Sequence, residues 1–267
     1  MTVDRSLLKK DARERMTRYK PSPIVIGLIV FLLTWVLQYL MLNVLGLNFE
    51  IRISGRNFST MQDVVNFMNE MQREMFSRFH PSVFAVVLAF ALMLMNNMIR
   101  VGHTIYALHV TREEKADYGN LLDGFSIFWR VVVLTLLQTI IVYVGLLLLI
   151  IPGIIAYYGL RQAVYLLLDH PERSPFECLR ASFTLMRGHK MELFVLDLSF
   201  LGWIILQYFL PPVAIAVWPY QELTYANYYR TLRGETVPAA QGKQVFEGQF
   251  TDIPSDDDDR DDWNRMN

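Results

Sequence analysis

Thirty consecutive residues without a charge separate Arg130 from Arg161, interrupted only by Pro152-Gly153. As one helix rising 1.5 Å per residue, the run would be about 45 Å long, against a bilayer hydrocarbon core of about 30 Å. It is too apolar for a soluble domain and too long for one upright crossing. How the chain disposes of the excess sets the topology. The rest of the 267 residues agrees with a membrane setting: 53% are hydrophobic and only 19% charged, against roughly 25% charged in soluble domains. A net charge of -1 argues for no nucleic-acid partner. The single cysteine, Cys178, excludes an intrachain disulfide and a cysteine-based zinc or iron–sulfur cluster.

Residues 1–20 carry seven Lys/Arg and three acids, with Leu7, Leu8, Asp11, Ala12, Arg15 and Met16 at helical spacing. The pattern predicts a basic amphipathic helix on the cytoplasmic side, against an anionic leaflet. Pro21 and Pro23 end it and open a first span over Ile24–Leu45, too long for a signal-peptide core, so it reads as a membrane anchor. An extracellular loop, 46–80, follows. Its FEIRISGRNF stretch suggests a hairpin turning near Ser54-Gly55. Ser59 or Thr60 then caps a helix with Met61, Val64, Val65, Met68, Met71 and Met75 on one broad face. The second span is Pro81–Leu108 and the third Phe125–Ile150.

Pro152-Gly153 is read as a turn that opens a short fourth span, Ile151–Leu168. A merely kinked helix would put Arg173, Arg180, Arg187 and Lys190 outside, which the positive-inside rule opposes. Ser174 and Glu177 form a capping-box signature for an amphipathic cytoplasmic helix, 174–187, stopped at Gly188. The fifth and sixth spans are Met191–Leu210 and Val213–Tyr229, joined at Pro211-Pro212. The expected architecture is an all-α polytopic bundle of six transmembrane helices over 21–233, with both termini cytoplasmic and an acidic, disordered tail, 234–267.

The IPGI turn at Ile151–Ile154, the Ser-x-x-x-Met-x-Gly-x-Lys connection at Ser182–Lys190, Leu-Ser-Phe-x-Gly-Trp at Leu198–Trp203 and Pro219-Tyr220 form a combination. Together they resemble a family of uncharacterised bacterial membrane proteins, domain of unknown function 975 (DUF975). Ala12-Arg13 matches its basic start. The resemblance is good over about 120 residues. It extends distantly to the membrane region of some glycerophosphodiester phosphodiesterases, whose catalytic domain has no counterpart in this sequence. It implies a multi-pass protein of a bacterial cell membrane and carries over no activity.

Counted from the cytoplasmic ends of the expected spans, Arg100, Arg161, Asp197 and Glu222 lie about 9–12 Å deep. Two cations and two anions on four helices would form an intramembrane polar layer, completed by Asn96, Asn97, Tyr158, Gln162 and Asn227. An unpaired charge at mid-membrane costs about 2.5–3.5 kcal/mol on insertion scales. Pairing is therefore expected, first between Arg161 and Asp197. Such a layer either lines a cavity for a polar solute or lipid headgroup, or only fixes helix register. The chain lacks a His-Glu-x-x-His site, a Gly-x-Ser-x-Gly elbow and a P-loop. These readings point to a non-enzymatic accessory or scaffold protein without cofactor or metal, its partners being membrane lipids and other membrane proteins. The alternative is a transporter, or a transporter component, for a polar solute or lipid.

Overall fold

The structure, a computed structural model, describes residues 4–45, 60–78 and 82–235. Among these the chain is entirely helical, with no strand. The hairpin expected near Ser54-Gly55 and the tail beyond residue 235 lie outside the described residues.

The helices are α1 (Arg5–Arg18), α2 (Pro23–Val44), α3 (Met61–Arg78), α4 (Val83–Arg112), a short α5 (Asn120–Asp123) and α6 (Phe128–Leu148). There follow α7 (Ile150–Leu160), α8 (Ala163–Asp169), α9 (Pro175–Leu185), α10 (Lys190–Leu198), α11 (Leu201–Phe209) and α12 (Ala214–Leu232). Among the described residues, five stretches are long and apolar enough to cross a membrane: Pro23–Val44, Val83–Arg112, Asn120–Leu148, Ile150–Asp169 and Lys190–Phe209. Local signals act as the residues suggest. Pro23 opens α2 from its first position, where its missing N–H has no helical partner to lose. Thr60 and Asp63 cap α3 reciprocally at 2.8 and 3.2 Å. Ser174 and Glu177 close the full capping box on α9.

The charge-free run turns back on itself, but not at Pro152-Gly153. Leu149 is the extended residue, with φ -160° and ψ 144°. Pro152 sits in the first turn of α7, where proline is tolerated. The α6–α7 hairpin closes tightly because Gly145 and Gly153 face each other, a Cβ on Gly145 falling 3.0 Å from Gly153 Cα. The apolar run is thereby divided into two antiparallel helices.

The core lies between α1, α2, α4, α8, α9 and α12. Its largest fully buried side chains include Tyr106, Tyr228, Tyr229, Phe200 and Met98. Helix α1 packs into this bundle, where Leu8 joins Leu193, Leu196, Phe200 and Tyr228, and Ala12 is fully buried. Helix α12, with Val217, Leu223, Ala226, Asn227 and Tyr229 buried, is the central element.

Side-chain bonds fix how far each helix reaches. Asn97 of α4 donates to Thr135 of α6 at 3.2 Å. From there α4 runs about 21 Å back to Val83 and α6 about 20 Å on to Leu148, so those ends are level. Helix α12 runs beside α4 in the same direction, because Thr104 bonds Glu222 and Arg230 donates to the Thr111 carbonyl. Thr104 lies about 32 Å along α4 from Val83, whereas Glu222 lies only about 12 Å from Ala214. A second register agrees. Gly27 of α2 meets the start of α12 so closely that a Cβ there would lie 2.4 Å from the Ile215 carbonyl oxygen. From Gly27, α2 continues about 26 Å to Val44. Helices α10 and α11 return antiparallel to α12 through Tyr228 to the His189 carbonyl, Tyr225 to Asp197 and Trp218 to Gln207. The Pro211-Pro212 tip of that hairpin thus stops about 20 Å short of the level reached by α2, α4 and α6.

Candidate functional site

Arg161 and Asp197 meet at 3.2 Å across α7 and α10. Asp197 is fully engaged: Oδ2 accepts from Arg161 and from the Tyr158 hydroxyl at 3.2 Å, and Oδ1 from the Tyr225 hydroxyl at 2.7 Å. Arg161 also donates to the Tyr157 hydroxyl at 2.6 Å, and its guanidinium lies 4.7 Å from the centre of the Tyr225 ring, within cation–π range. A carboxylate held by three donors, one of them charged, is fixed in orientation.

The other candidates separate. Among the described residues Glu222 pairs with no arginine; its Oε1 accepts from Thr104 at 2.6 Å and from Tyr165 at 3.2 Å. Arg100 is exposed on α4 and makes no ion pair among the described residues. Asn227 leaves the layer altogether and donates to Asp11 of α1 at 2.8 Å. Asn96 Oδ1, Gln162 Oε1 and His103 Nε2 are buried without a hydrogen-bond partner among the described residues. One ion pair and a ring of tyrosine hydroxyls, rather than four interlocked charges, therefore form the layer. Besides the expected Tyr158, the hydroxyls of Tyr165 and Tyr225 serve the layer as donors.

The layer is organised around a break. Helix stops at Leu160 and resumes at Ala163, leaving peptide groups without helical partners. Ser182 of α9, fully buried, bridges the gap: its hydroxyl donates to the Gly159 carbonyl at 2.9 Å and accepts from the Gln162 N–H at 3.2 Å. Gln138 of α6 reaches the Leu160 carbonyl at 3.4 Å. Ser182→Ala leaves two buried backbone groups unbonded, and unfolding in detergent is expected to show a loss of about 1–3 kcal/mol.

A second network, unforeseen from the sequence, ties the helix ends together. Arg112 bonds both oxygens of Asp169 at 2.7 and 2.9 Å, Tyr229 donates to the same carboxylate at 2.7 Å, and Arg112 and Arg230 share Glu235. Burial alone would raise the Glu235 carboxyl, but the hydrogen bonds from Arg112 and Arg230 bring it below its ordinary value. The bound form is thus the ionised one. Nothing in the sequence marked these residues, since each sits at the end of a helix where a charge is ordinary. Among the described residues, no group of three or more His, Cys, Asp or Glu side chains is disposed to hold a metal ion.

Five apolar helices of membrane-crossing length in an all-helical bundle define a multi-pass membrane protein. A family described as protein of unknown function, DUF975, matches residues 137–236, from within α6 to just beyond α12. That match takes in the broken helix, Ser182, Asp197 and Glu222. No curated protein and no solved structure matches the chain.

Proposed function

We propose that the protein is a non-enzymatic accessory or scaffold protein of a bacterial cell membrane, in which the Arg161–Asp197 layer fixes helix register rather than carrying out chemistry. The observation behind this reading is that both oxygens of Asp197 are bonded, by Arg161, Tyr158 and Tyr225. Its partners are membrane lipids and other membrane proteins, and α9, with Phe176 exposed in its first turn and Arg187 exposed just past its end, offers them a surface. Both termini lie on the cytoplasmic side, as the basic flanks of α1 and α9 favour. The topology we propose is four crossings, by α2, α4, α6 and the broken α7–α8, followed by a re-entrant hairpin formed by α10, α11 and α12. This replaces a fifth and sixth crossing and keeps the termini together.

A transporter component is the second reading, favoured by one feature: the break at Arg161 lies beside the hairpin that enters partway, and interrupted helices of this kind line substrate sites in transporters. Affinity purification in native lipid separates the two. A scaffold retains its co-purifying proteins in the Arg161→Gln/Asp197→Asn double variant and loses them with Phe176→Ala/Arg187→Gln. Loss of solute or lipid flux in the first variant, with its partners and fold intact, would instead assign transport.

A further inference from the structure

Where α1 crosses the junction of α10 and α11, the surface holds an open groove of about 770 Å³, lined by Asp4, Arg5, Ser6 and Lys9 on one side and by Leu198 and Ser199 on the other. The junction is a helix break: α10 ends at Leu198 and α11 begins at Leu201. Lys9 seals it, donating to the Ser199 carbonyl at 3.2 Å while its ammonium lies 4.2 Å from the centre of the Phe200 ring.

The groove is cationic. Asp4 is its one acid, and that carboxylate caps α1, accepting from the Ser6 N–H at 3.0 Å and the Ser6 hydroxyl at 2.7 Å. Burial, together with Arg5 and Arg13, lowers the Lys9 ammonium below its ordinary value. Burial is the larger cause and the two neighbouring cations the smaller, and an anion beside the ammonium would offset both. Next to these cations α11 turns Leu201, Ile204 and Ile205 outward and has no buried residue of its own. Paired cations at the foot of an uncovered apolar helix match an amphiphile with an anionic head and hydrocarbon tails.

We propose that this groove binds one anionic phospholipid, its phosphate between Arg5 and Lys9 and its acyl chains along α11. The site goes beyond the scaffold reading and does not depend on it.

The test uses the full chain in detergent, with native mass spectrometry of added phosphatidylglycerol, phosphatidylcholine or inorganic phosphate. Phosphatidylglycerol is expected to bind in preference to phosphatidylcholine. Arg5→Gln and Lys9→Gln should each weaken that binding about fivefold, as expected for one cation near an anionic headgroup. Lys10→Gln, which removes an equal charge from an exposed position outside the groove, should leave it unchanged. Arg5→Lys/Lys9→Arg should restore most of it, showing that charge and not α1 packing is being read. An equal loss with Lys10→Gln would overturn the site in favour of diffuse attraction. Inorganic phosphate that displaces the lipid, or stabilises the protein as well as the lipid does, would overturn the role of α11.

Discussion

A cysteine at Pro212 will resist a membrane-impermeant maleimide added from outside, whereas a cysteine at Leu149 will label fully. The contrast is all or none because the two turns lie at different depths. Leu149 caps the α6–α7 hairpin, level with the far end of α4, and its neighbours Leu147, Leu148 and Ile150 are all largely exposed. Pro212 tips the α11–α12 hairpin, which stops about 20 Å short of that level by the Thr104–Glu222 register. Between the two levels, α4 turns Val83, Phe84, Val87 and Phe90 outward and α2 turns Trp35, Val36 and Tyr39 outward. Such an apolar surface suits hydrocarbon, which under the proposed topology puts the tip within the bilayer. The native thiol will not interfere. Cys178 is buried, and burial pushes it up to about 11, leaving little thiolate at neutral pH. Labelling at Pro212 from outside would restore two full crossings in place of the re-entrant hairpin. A cysteine at Glu172, exposed between α8 and α9, supplies the inside control.

The stretches of α2, α4, α6 and α7–α8 apolar and long enough to cross a membrane were legible because long uncharged runs leave a chain few other choices. The capping box at Ser174 and Glu177 was equally plain, since its two bonds are made within four residues. Partners were less legible. Counting inward from each helix end put Arg100 and Glu222 at similar depths, but depth alone does not pair two groups: Glu222 sits on Thr104, one turn along α4 from Arg100, while the Arg100 side chain is exposed. The turn at Leu149 was misread for a related reason. Pro-Gly is a strong turn signal, but proline is just as well suited to the first turn of the next helix.

Helix α1 carried a clue that a charge census overlooks. Its apolar stripe of Leu8 and Ala12 includes Asp11 and Arg15, an i,i+4 pair that on an exposed helix contributes only a few tenths of a kcal/mol. Here both side chains are buried, at 5% and 8% exposure, and bond at 2.6 Å. The pair acts as a clasp. Asp11 accepts from Asn227 of α12 at 2.8 Å, and Arg15 donates to the Val110 carbonyl of α4 at 2.7 Å. Asp11→Ala therefore takes from the buried guanidinium the nearer of its two carboxylates, leaving only the exposed Glu113 at 3.4 Å, and leaves Asn227 only the Leu8 carbonyl at 3.5 Å. Removing one partner of such a pair is expected to cost about 3–5 kcal/mol, the largest loss of stability among the changes considered. The cost arises from the charge left behind rather than from the attraction lost. The double change Asp11→Leu/Arg15→Met, which removes both charges at similar volume, should recover most of it. Thermal unfolding in detergent reads the size of the effect, and proteolysis of the first 20 residues reads its location. If Asp11→Ala melts with the parent while α1 stays protected, the pair is solvated after all and α1 is held by Leu8 and Ala12 alone.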